Sequence, residues 1–365
     1  MKRSRKDERS STERPYLHLR CHNGSHLSSE ARSALSAVAL GLATPGKGIT
    51  ACDESAGTIG KRFEAVGVEN LEENRRKYRQ MLFKTEGITE YLCGAILDPE
   101  TLTQRDDSGA LFPEVLSTLR IIPGVKPHLK VYTLPGTNGD TVMQGLDSLS
   151  TRCASYYKEG ARFTKWRSPL KINLQTGNPT RLAIESCMSD LARFALISQA
   201  EGLVPLVEPD VVLDGDHDLE SAIAINTEIW GLLFHYMRES GVFMQGCILK
   251  VNMINPGKDC PHRYSVEEIA KANIEVMKLT VPAALPGINY LSGGQSLEEA
   301  ITRLRAINKM KDSTIPYNLS FSWSACIQLP LIALAKGRTL DSALEEMSVL
   351  YSKELKAAAA AAMGK

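Results

Sequence analysis

Short apolar runs bounded by turn residues recur along the chain, and longer amphipathic segments fill the gaps between them. Eight runs read as strands: residues 48–52, 91–97, 124–132, 162–166, 203–207, 246–249, 287–291 and 317–321. The intervening segments include LEENRRKYRQMLFKT, NPTRLAIESCMSDLARFALISQAEG and DLESAIAINTEIWGLLFHYMRES, all of helical pattern. Two helix starts carry capping boxes, Ser265 with Glu268 and Ser296 with Glu299. Strands alternating with helices favour a parallel sheet closed into a barrel, with an open doubly wound sheet as the alternative. No internal repeat and no linker rich in Pro, Gly or Ser divides the chain. The first 26 residues are basic and polar without an apolar core, which predicts a disordered extension. The last 20 end in an alanine run that suits a helix and is expected to fray.

The polar residues are not spread evenly. Asp53, Lys126, Lys165, Arg167, Glu208, Asp210, Lys250, Ser292 and Ser322 all fall at the C-terminal ends of the predicted strands. In a barrel those ends converge on the face that carries active sites. Any one of them is explained equally well as the first solvated residue after a core strand. The set is not, because nearly every strand ends in a charged or hydroxyl side chain. Three lysines and an arginine beside carboxylates make a cationic pocket suited to phosphate. A lysine crowded by other cations and apolar walls has a lowered pKa, so more of it is the neutral amine that attacks a carbonyl. Nearby carboxylates then move protons. SGGQS, residues 292–296, follows a strand and precedes a helix, so its amides are placed to meet a phosphate; a flexible turn is the plain alternative.

Composition narrows the choice. Forty-three basic residues against 42 acidic ones leave no electrostatic footprint for nucleic acid or an anionic membrane surface. No apolar run approaches the ~20 residues that span a bilayer. Eight scattered cysteines without a CxxC pair predict free thiols in a reducing, cytoplasmic compartment. The histidines show no HxH or HExxH spacing, which argues against a metal centre, and no cofactor is expected. DGDHD, residues 214–218, has the wrong spacing for a calcium loop and reads as a solvated turn. GKGITA, residues 46–51, precedes a strand instead of following one, so it is not a dinucleotide fingerprint.

At these residues the chain resembles class I fructose-bisphosphate aldolase, the Schiff-base type. The resemblance is carried by TPGKGITACDES, ENRRKYRQMLF, PGTNGDT, GLDSLSTRCASYYKEGARFTKWR, GLVPLVEPD, DGDHDL, ILKVNM and INYLSGGQSLEEA, in order and without large insertions. It implies a single (β/α)8 TIM barrel at residues 27–345, preceded by the extension and followed by a helical tail at 346–365. It also implies that Lys250 forms an imine with the substrate ketone and that Glu208 is the principal proton-transfer carboxylate. Asp53 would hold and deprotonate the C4 hydroxyl, Lys165 would stabilise charge beside the imine, and Asp210 would support them. Lys126 and Arg167 would bind the extended substrate. Ser55, Thr58, Lys61 and Arg62 would surround one phosphate region, and Ser292 with Gly293 the other, with Ser322 nearby. The implied partners are a sugar phosphate and further copies of the chain in a tetramer, with neither nucleic acid nor membrane.

Four positions depart from the family pattern. Asp210 stands for a glutamate, and Val251 for the proline after the lysine. The stretch FSYGR appears as FSWSA, residues 321–325, so a phosphate-binding arginine is replaced by Ala325. Losing one charge-assisted contact costs about 1.5–3 kcal/mol of binding, unless Lys336 or Arg338 fills in. The chain ends in AAMGK, without the terminal tyrosine that assists proton exchange in the animal enzymes. These departures motivate two alternatives: a shifted preference among ketose phosphates, or a weakly catalytic barrel kept for binding or scaffolding.

Overall fold

The structure is a computed structural model that describes residues 23–365. Most of the expected N-terminal extension, residues 1–22, lies outside the described residues. In chain order the strands are β1 Gly48–Cys52, β2 Leu92–Leu97, β3 Ile122–Val125, β4 Val131–Thr133, β5 Thr141–Met143, β6 Phe163–Lys171, β7 Val204–Val212, β8 Ile248–Val251, β9 Gly287–Tyr290 and β10 Asn318–Phe321. All but β4 and β5 form one parallel sheet in the order β1-β2-β3-β6-β7-β8-β9-β10. The Ala51 amide donates to the Trp323 carbonyl at 3.0 Å and draws the last strand against the first. The result is a (β/α)8 barrel.

The strands are buried on both faces, as their continuous apolar runs require. Helices such as Arg181–Ala200, Leu219–Glu239, Val266–Thr280 and Leu297–Met310 cover the outside. Both predicted capping boxes form, at Ser265 with Glu268 and at Ser296 with Glu299. The helix Ser29–Leu42 plugs the N-terminal mouth, where Leu35, Ala39 and Leu42 join Ile49, Phe163, Leu206 and Ile248 in one apolar cluster. Aromatic rings pack tightly there. A Cβ at Gly48 would collide with the Phe321 ring, and one at Gly124 with the Phe163 ring. The polar residues are left to the opposite, C-terminal mouth.

Three expectations need correcting. The run at residues 124–132 is not one strand: β3 ends at Val125, and β4 belongs to a separate antiparallel hairpin with β5. Pro127 has no amide to continue the ladder. Second, β6 and β7 run on to Lys171 and Val212, in register from Phe163↔Val204 to Lys171↔Val212. Lys165, Arg167, Glu208 and Asp210 therefore lie inside strands, and their spacing of two puts each pair on one face. Third, the alanine run does not fray. Helix Leu344–Ala362 buries Ala358, Ala359, Ala361 and Ala362, because small side chains let it lie close to the barrel wall. Tyr351 from that helix donates to Thr50 Oγ1 of β1 at 2.7 Å.

The seven described cysteines are free and buried. No described helix is long and apolar enough to cross a membrane.

Candidate active site

A cavity of about 530 Å³ opens at the C-terminal mouth of the barrel. Of the residues predicted to carry the site, Asp53, Ser55, Thr58, Arg62, Lys126, Lys165, Arg167, Glu208, Asp210, Lys250, Ser292, Gly293 and Ser322 line it. Lys61 does not. It lies on the other side of helix Ala56–Glu64 and lines a separate surface hollow with Gly57, Glu64 and Asn70. Adjacent residues on a helix project about 100° apart, and of the two Arg62 is the one that faces the cavity.

The centre is a chain of alternating charges. Lys165 Nζ lies 3.0 Å from Asp53 Oδ2 and 2.9 Å from Glu208 Oε2. Glu208 Oε1 in turn lies 3.5 Å from Lys250 Nζ. All four side chains are buried. Each comes from a different strand or strand end, so the barrel itself sets their spacing.

The two buried lysines are pushed in opposite directions. Burial lowers the pKa of Lys250, and Lys165 beside it adds to the effect, against the pull of Glu208, Asp53 and Asp210. Burial also acts to lower the Lys165 pKa, but Asp53 and Glu208 clamp it from both sides and raise it. Burial would raise the Asp53 pKa, yet Lys165, Lys126 and Lys250 together hold its carboxyl well below the usual range. One lysine is thus a fixed cation and the other a poised amine.

Asp210 works differently. Its Oδ2 accepts from Arg167 Nε at 2.7 Å and lies 2.6 Å from Nη2, while Oδ1 is buried without a partner. Burial raises its pKa against the opposing charge of Arg167. Among the described ion pairs Asp210 has Arg167 as its partner, not Lys250.

Two ends of the cavity are built from backbone turns. Gly293 and Gly294 follow β9 with φ of 49° and 85°, a left-handed turn that other residues rarely adopt. Ser292 is buried beside them, and the buried Ser322 hydroxyl has no partner. Ser55 is the N-cap of helix Ala56–Glu64 and accepts from the Thr58 amide at 3.3 Å. Lys126 sits 3.1 Å from Asp98 Oδ2 and donates to the Asp53 carbonyl.

Several lining residues were not foreseen. Glu54 pairs with Arg62 at 2.8 Å and with the buried Arg79 at 2.9 Å, and accepts from Ser324. It sits in the CDES motif beside Asp53, which was the available signal. His128 and Lys130 also line the cavity, brought there by the loop that Pro127 opens. Ala325 lines it as well. Neither Lys336 nor Arg338 reaches it, and Arg338 is paired with Glu346 at 2.8 Å.

The DGDHD turn is more structural than expected. Asp218 caps helix Leu219–Glu239, and the His217 side chain is buried. No cluster of His, Cys, Asp and Glu suited to a metal ion occurs among the described residues.

Fold and cavity define a (β/α)8 barrel organised around a buried lysine amine. The family model "Fructose-bisphosphate aldolase class-I" matches residues 34–365. Fructose-bisphosphate aldolase 1 of Toxoplasma gondii is 44% identical over 314 residues, 86% of each chain. The cytosolic fructose-bisphosphate aldolase 5 of Arabidopsis thaliana is 44% identical over 309 residues, 85% of each. Mouse fructose-bisphosphate aldolase C is 43% identical over 318 residues, 87% of each. A solved structure of the Plasmodium falciparum fructose-bisphosphate aldolase, in complex with TRAP and a small-molecule inhibitor, superposes with a TM-score of 0.90. It is 37% identical and covers 93% of this chain and 96% of its own. The chain belongs to the class I fructose-bisphosphate aldolase family.

Proposed function

We propose that the chain cleaves fructose 1,6-bisphosphate reversibly to dihydroxyacetone phosphate and glyceraldehyde 3-phosphate through an imine on Lys250. One observation carries this reading: the Lys250 amine is buried, depressed in pKa and 3.5 Å from Glu208. The neutral amine attacks the C2 carbonyl, and Glu208 carries the protons that let water leave. Asp53, held ionised by three lysines, accepts the C4 hydroxyl proton as the C3–C4 bond breaks. Lys165 remains charged between the two carboxylates and stabilises the charge that develops beside the imine. Arg167, fixed by Asp210, and Lys126 orient the extended substrate. Ser292, Gly293 and Ser322 hold the phosphate next to the ketone. Ser55, Thr58 and Arg62 border the other phosphate region, while Lys61 adds only long-range charge. A steady-state cleavage assay tests the reading. Lys250→Ala should lose activity by at least about a thousandfold, and undiminished cleavage would exclude the mechanism.

The same reading extends to organisation and setting. It divides the chain into a barrel at residues 27–345 and a helical tail at 346–365, working in the cytoplasm as a homotetramer. The tetramer rests on the family resemblance, and the setting on the cytosolic Arabidopsis relative. Sedimentation and cell fractionation check both. A second reading concerns specificity: Ala325 lines the cavity in place of the family's arginine, which favours a changed preference among ketose phosphates. Kinetics on fructose 1,6-bisphosphate, fructose 1-phosphate and sedoheptulose 1,7-bisphosphate tests it.

A further inference from the structure

In sheet order β3 is the third barrel strand and β9 the seventh, so the segments that follow them face each other across the mouth. The turn after β9 carries Ser292 and Gly293; the loop after β3 carries Lys126, His128 and Lys130. Most cations lining the cavity already have partners. Arg62 is held by Glu54, Arg167 by Asp210, Lys126 by Asp98, and Lys165 and Lys250 by the central carboxylates. Lys130 is the exception: among the described residues it has no ion pair, and its side chain is exposed at the rim. His128 is also unengaged, since both ring nitrogens are buried without a hydrogen-bond partner although the residue lines the cavity. A half-turn about Cβ–Cγ exchanges each nitrogen with a ring carbon and presents a different edge.

We propose that Lys130 and His128 complete the grip on the substrate phosphate remote from the imine, beside Ser55, Thr58 and Arg62 and across the mouth from the Ser292–Gly293 turn. An incoming dianion meets a lysine that no carboxylate must first release. It also meets an imidazole whose donor is unengaged. Burial, Lys165 and Lys126 hold the His128 pKa down at about 3, and a bound phosphate opposes that effect of the lysines. The inference rests on the aldolase reading for the identity of the ligand, but its test does not need turnover.

Calorimetric titration with hexitol 1,6-bisphosphate, which carries both phosphates and no ketone, reads the remote grip. Dihydroxyacetone phosphate reads the imine end alone. Lys130→Gln should weaken the bisphosphate by about tenfold to a hundredfold, and the triose phosphate by less than about twofold. His128→Phe, which keeps the edge-to-face packing on Trp166, should weaken the bisphosphate selectively to a smaller degree. Unchanged bisphosphate affinity in Lys130→Gln, or an equal loss for both ligands, would overturn the proposal. A chain that bound both ligands selectively without cleaving any ketose would overturn the aldolase reading and leave this grip in place.

Discussion

Lys165 and Lys250 are chemically identical, buried in one cavity and joined through Glu208, yet their neighbours assign them opposite roles. Removing Lys165 therefore acts on three groups together. In Lys165→Met, Asp53 and Glu208 lose the cation between them, and Lys250 loses the positive neighbour that lowers its pKa. The Lys250 pKa should rise, so the acid limb of the kcat/KM profile should move to higher pH. The maximum should fall by roughly 10²- to 10⁴-fold. A pH–rate profile of wild type and variant checks both parts, and an acid limb that stays in place would contradict the electrostatic account. At this scale the sequence was informative where chemistry sits on a strand. Lys250, Glu208, Asp53 and Lys165 were legible because strand ends of a barrel converge. His128 and Lys130 were not, because a loop delivers them and loop direction depends on Pro127 and the β4–β5 hairpin. Lys61 was expected at the cavity from the family resemblance alone, and which side of a short helix a long side chain takes is not legible from a motif.

The strands hold these residues in place because their bases are packed without slack. Gly48 leaves room for the Phe321 ring, so Gly48→Ala should force β1 and β10 apart and cost about 1–3 kcal/mol. Chemical denaturation measures that loss, and an unaltered midpoint would mean the ring has space to move. Helix Leu297–Met310 follows the SGGQS turn and depends on Ser296, whose Oγ accepts from the Glu299 amide at 3.2 Å. Ser296→Ala should cost about 1 kcal/mol of stability by the same measurement. Element types and most boundaries followed from apolar runs and capping boxes. The lengths of β6 and β7 did not, because charged residues facing a cavity look in sequence like the end of a strand.

Over the whole molecule, alternation of strands and helices was enough to suggest a barrel, and the ordered run of family motifs distinguished it from an open sheet. What composition concealed was that the alanines of the C-terminal helix are buried. That helix also carries Glu354, which is buried with Oε2 unpartnered. Burial pushes its pKa up to about 7 from 4.5, against the charge of Lys353. Between those values the folded chain keeps a proton that the unfolded chain releases. The contribution of Glu354 is therefore fully present below pH 4.5, is lost as pH rises towards 7, and stays lost above that. Relative to Glu354→Gln, wild type should lose about 1–2 kcal/mol across this window, allowing for solvent on its open side. Parallel melting curves at pH 5 and pH 8 check the difference. The central claim, that this barrel works through an amine on β8, is tested most directly by borohydride reduction in the presence of dihydroxyacetone phosphate, followed by peptide mapping. The account predicts one covalent triose phosphate adduct, on Lys250 and absent from Lys250→Ala; no adduct, or one on Lys165 or Lys126 instead, would contradict it.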